Sequence, residues 1–243
     1  MAGHSKWANI KHRKQRQDAA KQSLFTKLSR EIIVAAKEGT PDPEFNPRLR
    51  AAIQKARSEG MPNANIERAL ERATGGGEGS AMEEVVYEGY GPGGVGIIVK
   101  CLTDNRNRTV PELRHAFSKE GGNLAENGAV SWQFKKQGEI RVPADADEEA
   151  LTLAALDAGA EDVQKSDDAF VVFTPADSLH DVSQALEKEG FTILSAEISM
   201  NPTHMVEISR EDAMKLYKLL ERLNDLDDVA ETYFNTELPD DLE

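Results

Sequence analysis

The sequence predicts an α+β protein in which an N-terminal three-helix domain is followed by two ferredoxin-like α/β domains, the third inserted into the second. Apolar residues recur at helical spacing up to residue 73, and a glycine-rich run then interrupts the pattern at residues 75–80. From there to the C-terminus, strand and helix patterns alternate. With 243 residues, 39% of them hydrophobic, the chain can form several packed cores.

Three amphipathic segments make up the first domain, residues 1–80 including the glycine-rich linker. The first helix is indicated by apolar residues at helical spacing over residues 24–35. The second begins at Asn46-Pro47, a capping residue followed by proline at the first helical position, and ends at Gly60. The third covers the apolar positions of residues 66–73.

The remaining chain predicts two nested α/β domains. Residues 136–200 have the order β-α-β-β-α-β, which is a complete ferredoxin-like set. Residues 81–135 and 201–238 each have only β-α-β, and such a unit alone leaves a sheet edge and face exposed. We therefore expect these two segments to form one discontinuous domain into which residues 136–200 are inserted, and residues 239–243 to form an acidic tail.

The discontinuous domain is specified by four predicted strands and a helix start. The spacing of Thr109 and Glu112 is typical of a capping box and predicts the start of the helix that follows the first strand. The predicted strands are residues 95–103, 130–134, 205–208 and 229–234.

Charge is strongly segregated along the chain. The formal net charge is −14, yet residues 1–30 contain eight lysines and arginines against one acidic residue, Asp18, a net charge of +7. The other 213 residues therefore carry −21. A basic arm on an acidic body indicates contact with nucleic acid or with another acidic surface through one end of the molecule.

The candidate nucleic-acid-binding residues are the cations of this arm and two ring side chains among them. Clustered cations release counterions from a phosphate backbone, so binding should depend strongly on salt. Two readings of Trp7 stay open, since it can stack on an exposed base or pack against the helical domain. The candidates are Lys6, Trp7, Lys11, His12, Arg13, Lys14, Arg16, Lys21, Lys27 and Arg30.

Arg106 and Arg108 form a candidate secondary anion contact. They lie just before a predicted helix start, where unbonded amides and guanidinium groups can hold an anion together. The alternative is that both arginines pair with carboxylates of the acidic body.

The sequence provides no candidate catalytic or metal site. It lacks a phosphate-binding loop, and five histidines and one cysteine give no metal-ligand motif. Residues 91–96 have the spacing of a dinucleotide fingerprint but lead into a strand instead of opening a helix. Cys101 lies in an apolar run, where burial should suppress its reactivity. We expect no cofactor and no small-molecule substrate.

The chain is expected to be cytoplasmic, without a membrane partner. No apolar stretch is long enough to cross a bilayer, and the first residues are followed by charge where a signal peptide would have an apolar core.

Four ordered motifs resemble the YebC/PmpR family. They are MAGHSKWANIKHRK at residues 1–14, NPRLR at 46–50, YEGYGPGG at 87–94 and DNRNRT at 104–109. The resemblance implies three domains, helical first and α/β twice, and no catalytic site. Bacterial relatives are described as DNA-binding transcriptional regulators, and a mitochondrial relative as a translational activator of cytochrome c oxidase. Some bacterial members resemble ribosome-associated factors that help difficult peptides form.

The leading interpretation is a DNA-binding transcriptional regulator whose basic arm contacts the phosphate backbone. The alternative is a ribosome-associated translation factor that binds ribosomal RNA. No helix-turn-helix with a set of base-reading side chains is evident, which favours backbone contact. Two further classes stay open: an enzyme that uses Arg106 or Arg108 in a cleft between the α/β domains, and an adaptor that binds proteins through its sheets.

Overall fold

The structure is a computed structural model that describes residues 18–75, 81–239 and 241–242, with side chains of the first helix from Lys21 onward. The described elements in chain order are α1 (Asp18–Glu38), α2 (Pro47–Ser58), α3 (Asn63–Thr74), β1 (Glu83–Tyr90), β2 (Gly96–Thr103), α4 (Arg106–Lys119), β3 (Asn123–Ala125), β4 (Phe134–Pro143), α5 (Glu148–Asp157), β5 (Asp162–Lys165), β6 (Ala169–Pro175), α6 (Leu179–Lys188), β7 (Ser195–Pro202), α7 (Arg210–Asp225) and β8 (Val229–Phe234).

Helices followed by two four-stranded antiparallel sheets confirm the predicted α+β class. The described residues divide into two compact units, one from residues 18–75, 81–133, 204–239 and 241–242 and the other from residues 134–203. The first unit contains the three N-terminal helices and the first sheet, and the second unit contains the second sheet.

The three helices pack around α1. Asn46 caps α2 by accepting from the Leu49 N–H at 3.0 Å, and its amide donates to the Ala35 carbonyl at 2.7 Å, so one side chain joins α2 to α1. Their common core also contains Met82 and Leu102 from the first sheet domain. The helices and the first sheet are thus parts of one packed unit.

The first sheet has the strand order β3-β1-β2-β8, with every neighbouring pair antiparallel. β1 and β2 form a central hairpin, and its turn contains Gly93 and Gly94, both with positive φ. Phe117 of α4 and Leu216 and Leu220 of α7 belong to the core cluster that this sheet contributes to.

Several predictions for this domain are wrong in detail. Residues 131–133 form a short 3-10 turn, and residues 205–208 form a loop in which Val206 donates one bond to the Asn235 carbonyl. Strands β1 and β3 were not predicted, because acidic residues and glycine interrupt the apolar alternation of β1 and β3 has only three residues. Helix α4 begins at Arg106 with Asn105 as its cap, so the capping box at Thr109 is also wrong.

The second unit has the chain order β4-α5-β5-β6-α6-β7 and the strand order β5-β6-β4-β7. This is the ferredoxin-like arrangement, with all neighbouring strands antiparallel. Ile140, Val142 and Phe170 of the sheet pack with Leu151 of α5 and Leu186 of α6.

Across the described residues, no helix combines the length and the apolar character that a membrane crossing requires.

Candidate nucleic-acid interface

The candidate residues of the arm divide into two groups. Lys6, Trp7, Lys11, His12, Arg13, Lys14 and Arg16 lie outside the described residues. The structure places the other three, Lys21, Lys27 and Arg30, on α1.

Lys27 and Arg30 face the first sheet domain. Arg30 forms an ion pair with Asp228 and donates to the carbonyls of Leu102 at 2.9 Å and Asp227 at 3.1 Å. Lys27 donates to the carbonyl of Asn224 at the end of α7. These two cations therefore hold α1 against the sheet domain, and their contact with nucleic acid stays a prediction.

Arg106 and Arg108 are both paired with carboxylates in the structure. Arg106 binds Glu83 through two hydrogen bonds, of 2.6 and 2.7 Å, and these bonds hold the pKa of Glu83 below its ordinary value. Arg108 donates to Asp228 at 2.7 Å and to Asp104 at 2.9 Å. Of the two alternatives that the sequence left open, the pairing with acidic residues is what the structure contains.

Asp228 is a buried carboxylate that joins three segments of the first unit. It receives bonds from Arg30 of α1, from Arg108 and from Thr109, whose hydroxyl donates at 2.7 Å. Burial alone would raise the pKa of Asp228, but the hydrogen bonds from Arg108, Arg30 and Thr109 outweigh it, and the pKa is lowered. Asp228 is therefore ionised near neutral pH and fixes both arginines in place.

A cleft of about 540 Å³ lies between α1 and α3. Among its lining residues are four cations and one carboxylate, Asp104, which is itself bonded to Arg108. Phe25, Ile33 and Met82 form apolar parts of the wall. The four cations are Lys21, Arg30, Arg68 and Arg72.

Helix α2 presents a second group of cations. Arg50, Lys55 and Arg57 project from a helix that contains no acidic residue, and Lys55 and Arg57 are exposed. Arg48 on the same helix differs, because it is bound to Glu31 at 2.9 Å and to Glu84 at 2.7 Å. Positive charge thus faces solvent on α2 as well as in the cleft.

In the sheet domains, by contrast, many cations lie within ion pairs. The pairs in the sheet domains include Lys135–Glu161, Arg141–Asp168, Lys165–Glu148, Lys215–Glu211 and Arg222–Glu120.

The net charge also differs between the two parts of the chain. Residues 1–75 contain 15 lysines and arginines and 8 acidic residues, a net charge of +7, and the rest of the chain carries −21.

The chain matches two family models that together cover most of it. One describes the TACO1/YebC protein N-terminal domain and matches residues 5–76, and the other describes the TACO1/YebC second and third domain and matches residues 82–236. The chain belongs to the TACO1/YebC family.

Relatives of this TACO1/YebC chain match it over its full length. A protein of Persephonella marina is 55% identical, covering 100% of this chain and 98% of the relative. A protein of Dictyoglomus turgidum is 52% identical with the same coverage. Both are named probable transcriptional regulatory proteins. The crystal structure of a conserved hypothetical protein from Aquifex aeolicus is 48% identical, covers 92% of this chain and 93% of its own, and superposes with a TM-score of 0.83.

In this TACO1/YebC chain, sequence reasoning missed Arg68 and Arg72 as members of the candidate interface. Their four-residue spacing on α3 was a usable signal, because it places both on one helical face. Glu67 and Glu71 alternate with them in sequence and made the segment resemble an ordinary solvated helix.

Two other features have structural roles. Residues 91–94 form the turn between β1 and β2, as expected of a run that leads into a strand. Cys101 is buried, and burial raises the pKa of its thiol to about 12. No group of three or more potential metal ligands occurs in the part of the chain that the structure describes.

Proposed function

We propose that this protein is a non-enzymatic regulator of gene expression that acts in the cytoplasm and holds nucleic acid through its cationic N-terminal arm. The charge distribution carries the proposal: residues 1–75 bear +7 and the remainder bears −21. Only the cationic end attracts a polyanion, because the acidic remainder repels phosphate. The names of the relatives, probable transcriptional regulatory proteins, support DNA in transcription as the first target.

Contact with the phosphate backbone is the mode that these residues favour. Lys6, Lys11, Arg13, Lys14 and Arg16 supply point charges along a short segment. Such contacts fix the position of a protein on nucleic acid but read little sequence. The protein is therefore expected to bind with a steep dependence on salt and modest preference among sequences.

A second candidate function is a translation factor that binds ribosomal RNA. The observation in its favour is that Lys27 and Arg30, the cations in the middle of α1, bond to the protein's own sheet domain. Helix α1 therefore does not present these cations to the major groove of a DNA duplex. RNA is recognised largely by shape and by backbone contact, which suits cations spread over an arm and two helices.

The test is a charge reversal of the arm with a matched control. One variant carries Lys6, Lys11, Arg13, Lys14 and Arg16 changed to Glu. The control carries the same change at five exposed cations of the sheet domains: Arg114, Lys119, Lys136, Lys188 and Lys218. Kd is measured for duplex DNA, structured RNA and ribosomes between about 50 and 200 mM salt.

The arm variant should bind at least about a hundredfold more weakly. Its plot of log affinity against log salt should flatten by about 0.9 for each phosphate of duplex DNA that the variant no longer neutralises. The control should change little. A loss of affinity restricted to ribosomes and structured RNA would select the translation role. Equal losses of affinity in both variants would refute the proposal.

A further inference from the structure

We propose that the cleft between α1 and α3 is a binding site for a single unpaired nucleotide, held within a single-stranded stretch of nucleic acid. The inference rests on the proposed function, from which it takes nucleic acid as the class of ligand. It assigns a second site, in which the residues that the test changes, Phe25, Arg68 and Arg72, are not candidate residues of the arm.

Two facing helical surfaces build the cleft. On α1, Lys21, Phe25 and Ser29 follow each other at four-residue spacing and so lie on one face. On α3, Arg68 and Arg72 have the same spacing on the opposing wall. The cleft therefore has an aromatic ring on one wall and cations on both.

The charge of the cleft selects an anion. Arg30 is paired with Asp228, and Asp104 is paired with Arg108. These two residues therefore contribute little to the net charge of the cleft. Within the described residues, no carboxylate pairs with Lys21 or Arg68. The segment of residues 1–17 of the chain itself is a poor occupant, because it contains five lysines and arginines and no acidic residue.

An aromatic ring among cations is typical of sites for single-stranded nucleic acid, because a base stacks on the ring while neighbouring phosphates meet the cations. Phe25 is partly buried against the helical core, which holds the ring in place and leaves part of it exposed. Gln22, Thr26 and Asn65 also line the cleft and can hydrogen-bond to a base edge or a sugar.

The size of the cleft sets the form of the ligand. A volume of about 540 Å³ lies within the range of about 300–1,000 Å³ typical of sites for small ligands, and so it can accept one nucleotide. A duplex keeps its bases paired and stacked, so entry requires a base that is already unpaired or is extruded at a cost of a few kcal/mol. Single strands are thus the favoured ligands.

The test compares two cleft variants with a control in the full-length protein. Arg68→Ala combined with Arg72→Ala removes cations from the cleft, and Phe25→Leu removes the ring but keeps an apolar side chain. Arg50→Ala combined with Arg57→Ala removes two cations from α2, outside the cleft. The probes are fluorescent ten-nucleotide strands of deoxythymidine and of uridine, and a blunt-ended duplex in which every base is paired. Circular dichroism verifies that each variant is folded.

The cleft double variant should bind both single strands at least about tenfold more weakly and lower the salt slope by at least about 0.7, the value for one phosphate. Phe25→Leu should weaken binding about fivefold with an unchanged slope, since stacking releases no counterions. The α2 control should lose less than about threefold. Preference for one of the two strands would identify DNA or RNA as the source of the nucleotide.

Equal losses of affinity in the cleft and α2 variants would overturn the inference. It would also be overturned if binding of the blunt-ended duplex depended on the cleft as strongly as binding of the single strands does. The charge-reversed arm variant separates the two proposals. If only that variant loses affinity, the arm proposal stands and the cleft proposal fails. If only the cleft variants lose affinity, the cleft proposal stands and the arm proposal fails.

Discussion

Asp228 is one of the residues that join α1 to the first sheet domain. Its carboxylate is buried and bonded to both Arg30 and Arg108. In Asp228→Asn the largely buried guanidinium of Arg30 loses its ionised partner, whereas the exposed Arg108 keeps Asp104. The free energy of unfolding should therefore fall by about 3 kcal/mol, mainly through Arg30. Urea denaturation measures the change.

The control for this substitution is an exposed ion pair of the same unit. Glu211 binds Lys215 at 2.7 Å on the surface of α7, and Glu211→Gln should cost about 0.5 kcal/mol or less because water solvates both groups. If Asp228→Asn costs no more than Glu211→Gln, the network does not stabilise the junction.

Glu88 makes the stability depend on pH through the loop that it holds. Its carboxylate accepts from the N–H groups of Gly128 at 2.5 Å, Val130 at 2.9 Å and Ser131 at 2.6 Å. Burial would raise the pKa of Glu88, but these backbone bonds outweigh it and lower the pKa below its ordinary value of 4.5. The stabilisation is therefore fully present above pH 4.5 and is lost as the pH falls through the lowered pKa.

Glu88→Gln should accordingly lower the free energy of unfolding at pH 7 and lower it much less at pH 3. Urea titrations of both proteins at the two pH values give the comparison. A constant difference between the proteins at both pH values would show that the charge of Glu88 is not what holds the loop.

At the scale of elements, substitutions at the cap of α4 test where that helix begins. Asn105 accepts from the Arg108 N–H at 3.2 Å, whereas Thr109 lies inside the helix and donates to Asp228. Asn105→Ala should cost about 1 kcal/mol, and Glu112→Ala well under about 0.5 kcal/mol because no capping box exists for Glu112 to complete. Thermal unfolding monitored by circular dichroism compares the stability of the two variants. A larger loss of stability in Glu112→Ala than in Asn105→Ala would show that the helix begins at a capping box formed by Thr109 and Glu112.

Elements with a local signal could be predicted from the sequence, and those without one could not. Helices α1, α2 and α3 were predicted because their buried residues repeat at helical spacing and Asn46-Pro47 marks a helix start. Strand β1 was missed because its acidic residues hide the alternation. The partners of these acidic residues are remote in sequence, since Glu84 binds Arg48 and Glu88 binds amides about 40 residues away.

The same reason limits what could be predicted of the candidate site. The cations of α1 were visible in the sequence, but Asp228, the partner of Arg30, lies 198 residues further along the chain. Nothing local distinguishes Lys21, which lines the cleft, from Lys27, which bonds to α7. The cleft itself exists only after α1 and α3 have packed, so its cations become a group only in the folded molecule.

At the scale of the whole molecule, the acidic remainder should limit indiscriminate binding to nucleic acid. Glu149, Asp157, Asp167 and Glu187 are exposed residues of the second unit, and changing all four to neutral amides removes four negative charges. At about 10 mM salt, where screening acts over roughly 30 Å, affinity for duplex DNA of arbitrary sequence should rise several-fold. At about 150 mM salt, where screening acts over roughly 8 Å, the gain should vanish. Fluorescence anisotropy at the two salt concentrations measures the gain in affinity.

A gain in affinity that persists at the higher salt concentration would mean that these four residues face the bound nucleic acid directly. The absence of a gain at the lower salt concentration would mean that the arm binds independently of the charge on the rest of the chain.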